Sequence, residues 1–222
     1  MVKIDEIIRT KRRTMALVVE RDGRLIVRAP LRTREESIHQ FVKGHETWIR
    51  KKQAQFKAYP SFAPKQYVDG EGFWFLGKIH NLEIVEETKP ALSLNGSFRL
   101  AKSALPKAEA VFEKWYRRQA NQVLEERVAW YAAQHGFQYK RIKITSARTR
   151  WGSCSSLGTL SFTWRLVMTP MPVIDYVVIH ELVHLQVRNH SKKFWNKVAI
   201  LMPDYKEKLE WLKKNGHLLS LR

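Results

Sequence analysis

Three histidines and a glutamate in one short stretch have the types and spacing to hold a metal ion. The run Val177-Val178-Ile179-His180-Glu181-Leu182-Val183-His184-Leu185 is followed, six residues after its second histidine, by His190. Residues i and i+4 of a helix sit roughly 40° apart around the axis, so the imidazoles of His180 and His184 reach one small ion and Glu181 projects beside them. A zinc ion that does chemistry takes three protein ligands and keeps a fourth position for water. Two helical histidines supply two ligands, and His190 is the expected third. The chemistry this allows is water activation: the ion makes its water more acidic, and Glu181 takes the proton as general base and returns it as general acid.

A lone histidine on an apolar helix is ordinarily a core residue, but three in register with a glutamate are not. Bulky apolar residues surround nearly the whole helix (Val173, Ile174, Tyr176, Val177, Val178, Ile179, Leu182, Val183, Leu185), so it must be buried. Burying imidazoles and a carboxylate without partners is costly, and a metal removes that cost. The spacing to His190 fits the long HExxHxxxxxH pattern, except that Val187 replaces the glycine of metzincins. The chain must therefore turn by other means. Arg188-Asn189 is the expected helix end, through a left-handed asparagine, and Ser191 is expected to cap the next helix.

Arg148, Arg150 and Arg165 lie in the loop and strand before this helix, where guanidinium groups could grip a substrate's phosphates. Their competing role is to pair with carboxylates or carbonyls and hold the loop. Cys154 reads as a small buried residue in a tight turn. His39, His45, His80 and His217 read as structural or surface residues.

The elements that position these residues follow from periodicity. Thr14–Glu20 and Leu25–Pro30 form a hairpin across Asp22-Gly23, and a single helix is expected from Thr33 to about Phe56, with Ile38, Phe41, Val42, His45, Trp48 and Ile49 as its packing stripe. Two further hairpins are expected in 72–85 and 91–100, the second across Asn95-Gly96. Pro106 opens a long helix that His135-Gly136 stops, and this helix is expected to scaffold the metal helix. Arg141–Ser146 and Thr159–Leu166 read as strands, with a tight polar loop from Arg150 to Ser156 between them. Two amphipathic helices follow, from Ser191 and from Asp204. The fold class expected is α+β: a small β-rich N-terminal unit with one helix (1–104), then a mainly helical metal-binding domain with a short sheet (105–222).

The 222 residues are 44% hydrophobic, enough for a real core. One cysteine excludes an internal disulfide, the N-terminus lacks the apolar run of a signal peptide, and nothing is apolar enough to span a membrane, so a cytoplasmic location is expected. The net charge is +19. Residues 1–57 carry 15 Lys/Arg against 7 Asp/Glu, residues 58–104 carry 5 against 5, and residues 105–222 carry 20 against 9. Such a surface attracts polyanions, nucleic acid included, without reading sequence.

Several motifs together resemble the YgjP-like metallopeptidase family, itself related to the SprT-like zincins. They are Arg150-Trp151-Gly152-Ser153-Cys154, Trp164-Arg165-Leu166, His180 to Leu185, Asn189-His190-Ser191 with Phe194-Trp195, Met202-Pro203-Asp204-Tyr205 and Trp211-Leu212. Thr163 departs from the asparagine expected there. The resemblance implies a minimal zincin fold with one divalent ion, Zn2+ before Ni2+, Co2+ or Mn2+, on His180, His184 and His190, and hydrolysis of a peptide or protein. Thr159–Thr163 is the expected edge strand for a peptide. Two other readings stand beside it: a metal-dependent nucleoside-triphosphate pyrophosphatase using the same ion, and a non-catalytic nucleic-acid-binding protein with a structural metal.

Overall fold

A run of apolar residues builds the first sheet. In the computed structural model, which describes residues 2–20, 23–58 and 65–221, Leu25, Ile26, Val27 and Ala29 are buried while Arg28 is exposed. They belong to β3 (Leu25–Pro30), which pairs antiparallel with β2 (Ala16–Val19) and parallel with β1 (Glu6–Thr10). The expected hairpin is present, with Gly23 at φ 88; Asp22 lies outside the described residues. Strand β1 was not expected. Its partner is reached only through a long parallel connection, which leaves no local signal.

The helix expected as one piece is two, α1 (Glu35–Gly44) and α2 (Glu46–Ala58). His45 breaks it, at φ −116 and ψ 13: its N–H bonds Val42 O, and its ring Nδ1 takes the Phe41 carbonyl at 2.8 Å. Ile38, Val42 and Ile49 close this core, whereas Trp48, expected in the stripe, is 43% exposed.

The chain divides into two compact units, 1–63 and 64–222. In the second, β4 (Gly72–Phe75), β5 (Lys78–Val85), β6 (Leu92–Asn95) and β7 (Ser97–Ala101) form a sheet in the order β4-β5-β7-β6, and both expected hairpins are there. Leu76 and Gly77 both have positive φ, the signature of a type I′ turn. Grouped with the N-terminal hairpin on sequence grounds, this sheet shares its core with the long helix: Phe73 stacks on Phe112 at 4.3 Å between ring centres. That helix, α3 (Ala108–His135), begins after a 3-10 turn (Lys102–Lys107) that holds Pro106, and ends at left-handed Gly136. Its buried face (Phe112, Tyr116, Ala120, Leu124, Val128) repeats at helical spacing.

The third sheet bears on the site. Strands β8 (Arg141–Thr145), β9 (Gly152–Cys154) and β10 (Thr159–Thr163) lie in the order β8-β10-β9. The segment expected as a pure loop thus contributes a strand. Strand β10, expected at the edge, is central, parallel to β8 and antiparallel to β9, so it cannot receive a peptide. The edges are β8 and β9. After the 3-10 turn Trp164–Met168 come α4 (Met171–Val183), α5 (Lys192–Leu201) and α6 (Tyr205–Asn215). Among the described residues no helix is long and apolar enough to cross a membrane.

Candidate metal centre

Helix α4 has Val173, Ile174, Val177, Val178, Ile179, Leu182 and Val183 buried, so its polar residues must either leave the core or be matched within it. Asp175 is matched: its two carboxylate oxygens accept from Arg127 Nε and Nη2 of α3 at 2.6 and 2.9 Å. This fork ties the long helix to the metal helix, and α3 is the scaffold that its periodicity suggested.

His180 and His184 leave the core at the helix end, and the chain returns His190 to them. The helix stops at Val183, earlier than expected, and Asn189 is not left-handed; among the described residues Tyr67 and Leu76 are the non-glycines with positive φ. Hydrogen bonds make the turn instead. Val187 N–H bonds Val183 O, and Arg188 donates to Ser155 O and Ser156 O at 2.8 and 3.0 Å. Ser191 occupies the cap position of α5 as expected, without a side-chain cap bond.

The result is convergence of three ring nitrogens. His190 Nε2 lies 3.1 Å from His184 Nε2 and 3.0 Å from His180 Nε2. His184 Nδ1 lies 3.0 Å from the Val187 carbonyl, which can only accept. That fixes the proton on Nδ1 and leaves a lone pair on Nε2 aimed at the other two histidines. Among neutral rings so arranged, at most one of the two nitrogen contacts can be a hydrogen bond. An ion satisfies all three at once. Ligand bonds of about 2.0–2.1 Å on a tetrahedron put nitrogens about 3.3–3.4 Å apart, a few tenths wider than found here. The donor set therefore fits a divalent ion. Burial, with help from His184 and His190, lowers the His180 pKa to about 3, and burial lowers that of His184, so both lone pairs are available at neutral pH.

Glu181 stands beside this cluster at 5% exposure, with Oε2 buried and unpartnered among the described residues. Burial raises its pKa to about 8, against the opposing charge of Arg150. An orphaned buried carboxylate oxygen next to three converging lone pairs is what a cation and its water would complete.

Four further features surround the cluster. Gly152 of β9 lies so close that a Cβ there would sit 2.5 Å from Glu181 Oε1 and 2.6 Å from its Cγ. Tyr176, one turn before His180, packs edge-on to it at 5.9 Å, and this i, i+4 spacing was a readable signal. Tyr176, Tyr205, Trp195 and His190 form a continuous stack, with ring centres 6.4, 5.5 and 5.6 Å apart. Phe194 lies 4.5–4.9 Å from all three imidazoles. Since His180 Nδ1 has no partner among the described residues, this packing holds its ring.

The three arginines separate. Arg150 stands in the segment leading into β9 and acts electrostatically on Glu181. Arg165 is 9% exposed, donates to Ser146 O and lies over the Trp164 ring at 4.2 Å. Arg148 lines a cavity of about 220 Å3 with Glu109, Glu113 and Arg165. Ser146 joins this group together, donating to Glu113 and accepting from Arg117 and Trp164 Nε1. Of the three, Arg165 thus holds the loop through the Ser146 carbonyl, while Arg148 only lines the cavity. Cys154 is half-buried in β9 rather than fully buried in a turn. His39 and His45 are exposed, His80 bonds Gly96 O, and the His217 side chain lies outside the described residues.

Residues 13–215 match the family model described as "YgjP-like, metallopeptidase domain". No curated protein matches the chain. Among solved structures, the metallopeptidase zymogen abylysin of Pyrococcus abyssi is similar at 23% identity, covering 41% of this chain and 93% of its own, with a TM-score of 0.38. The family model spans nearly the whole sequence, including the histidine cluster and Glu181, and the chain belongs to the YgjP-like metallopeptidase family.

Proposed function

We propose that the protein is a metal-dependent peptidase whose ion, zinc by donor preference, sits on His180, His184 and His190. The observation that carries this reading is the pairing of three converging Nε2 lone pairs with a buried, unpartnered Glu181 carboxylate. When bound, the ion supplies Lewis acidity, making a water more acidic and polarising the scissile carbonyl. Glu181 receives the water's proton. Buried beside the cluster and unpartnered at Oε2, it is placed to take that proton and give it back to the leaving amine. Gly152 sets the carboxylate's position, and the aromatic stack keeps bulk water from one side of the imidazoles.

Strand β9 supplies the binding edge. Thr163 N–H bonds Trp151 O and Ser155 N–H bonds Thr159 O, so the odd-numbered residues of β9 spend their backbone groups on β10. The N–H and C=O of Gly152 and Cys154 point the other way, and neither residue makes a backbone hydrogen bond there among the described residues. An extended peptide pairing with those groups would pass the Glu181 side of Gly152. The triphosphate reading is disfavoured, because Arg165 is engaged with Ser146 and Trp164, and Arg148 sits beside two glutamates.

The test is Glu181→Gln, which keeps the side chain's shape and removes the base. One divalent ion per chain should remain by elemental analysis, while peptide turnover falls on the order of a hundredfold or more. Nucleoside-triphosphate turnover by the wild type that is lost in Glu181→Gln, with no peptide cleaved, would reverse the assignment.

A further inference from the structure

The face of the third sheet turned away from the core carries an unusual set of side chains. Leu160 and Phe162 of β10 are fully buried in the core, so Ser161 and Thr163 face the opposite way. Register sets their neighbours: Ser161 lies between Lys143 of β8 and Ser153 of β9, and Thr163 lies beside Thr145. With Arg150 and Trp151 from the segment leading into β9, they line a cavity of about 150 Å3. At about 30 Å3 per water, it has room for a small oxyanion with several waters.

Three observations indicate what it takes. Thr163 is 2% exposed, and its Oγ1 has no hydrogen-bond partner among the described residues. The side chains of Lys143 and Arg150, both lining the cavity, make no hydrogen bond or ion pair among the described residues, and Arg150 acts on Glu181, outside the cavity, only through its charge. No carboxylate lines the cavity to neutralise them. Two unpaired cations around hydroxyls, one of them orphaned, make a site for an oxyanion.

The cavity also adjoins the open edge of β9. Strands in a sheet are about 4.8 Å apart, so a peptide added to β9 would place one residue next in the row Lys143, Ser161, Ser153. That residue's side chain would point to the cavity's face, and its two neighbours to the Glu181 face. We propose that this cavity is a specificity subsite for an acidic side chain of the peptide substrate, with Arg150 as its principal cation. The assignment rests on the peptidase reading for the source of the oxyanion and on the cavity alone for its chemistry.

The experiment separates the two. Blocked peptides identical but for one Glu or Gln, stepped along the sequence, are titrated by calorimetry into metal-loaded Glu181→Gln protein. At one register the Glu peptide should bind at least about tenfold more tightly, the scale of a charge-assisted contact. That ratio should fall toward one in Arg150→Met and drop in Thr163→Val, which keeps the shape and removes the hydroxyl. A ratio within about twofold at every position overturns the subsite. Wild-type turnover of the same peptides is read separately. Cleavage without acid preference sinks the subsite and spares the peptidase reading, whereas acid-selective binding without cleavage does the reverse. Inorganic phosphate should compete with the Glu peptide through Arg150. Phosphate binding that depends on Arg150, with no acid preference among peptides, would assign the cavity to a free oxyanion and overturn the peptide assignment.

Discussion

Gly152 and Glu181 touch across the site, and that contact limits what either residue tolerates. A Cβ at 152 would lie 2.5–2.8 Å from Glu181 Oε1, Cγ and Cδ, closer than real Cβ contacts come. Gly152→Ala should therefore push the carboxylate aside, lowering turnover by on the order of a hundredfold with the ion retained, since a shift of about 1 Å is enough for that. Metal content and kinetics together check this, and unchanged turnover would show that Glu181 tolerates displacement. The same burial predicts a pH signature in protein stripped of its ion. Glu181 has its pKa raised by burial from 4.5 to about 8, so the folded chain holds more protons than the unfolded one in that window, and stability falls as pH rises through it. His180 has its pKa lowered by burial, then by His184 and His190, from 6.5 to about 3, so its contribution rises with pH between those values. The two oppose each other between about 4.5 and 6.5, leaving a net fall above. Urea midpoints should show a loss on the order of 2 kcal/mol between about pH 6.5 and 8, absent in Glu181→Gln. A wild-type profile flat over that range would mean that Glu181 is not desolvated in the metal-free fold.

At the scale of elements, the fork between Arg127 of α3 and Asp175 of α4 holds the metal helix to its scaffold. Asp175 is 8% exposed, and the Arg127 guanidinium also lies over the Trp130 and Tyr131 rings at 4.9 and 5.3 Å. Arg127→Met leaves the buried Asp175 carboxylate without its cation, with only Tyr131 beside it, and should cost about 2–4 kcal/mol by urea denaturation. Adding Asp175→Leu should recover part of the loss; a double variant less stable than the single would show that the pair does more than neutralise itself. This clamp marks the boundary of what the sequence could show. Helix α4 and the placing of His180 beside His184 were readable because i, i+4 spacing is local, and α3 because its apolar period persists along its length. The Arg127–Asp175 pair joins residues 48 apart, which no local pattern records. Strand β9 escaped notice for a related reason: three residues with a glycine carry no alternation to read. Sheet order leaves no local trace either, and nothing within Thr159–Thr163 records that β9 covers one side of β10. Arg165 looked like a ligand for phosphate because sequence shows a charge and hides the Ser146 carbonyl and Trp164 ring that occupy it.

At the scale of the molecule, two cores stand in two units, one around Leu25, Val27, Ile38 and Ile49, the other running from Phe73 through α3 and α4 to Leu221. The formal charge divides between them as +8 for 1–63 (15 Lys/Arg, 7 Asp/Glu) and +11 for 64–222 (25 Lys/Arg, 14 Asp/Glu). Basicity is therefore not the property of one unit, and any binding to DNA should ignore base sequence and weaken steeply between about 50 and 200 mM salt. The proposed metal centre, by contrast, has one address. His180, His184, His190 and Glu181, the Val187 carbonyl that orients His184, Gly152, the aromatic stack and the Arg127–Asp175 clamp all lie within 64–222. With about 160 residues and its own core, that unit has the size of an ordinary independent domain. Residues 64–222 expressed alone should fold, bind one divalent ion per chain and hold it with an affinity within about threefold of the full chain. Circular dichroism establishes the fold, and elemental analysis with competitive chelation establishes the ion. A fragment that keeps its helical signal and yet binds no ion would show that the site needs the N-terminal 63 residues, and the assignment of the whole metal centre to the second unit would fall.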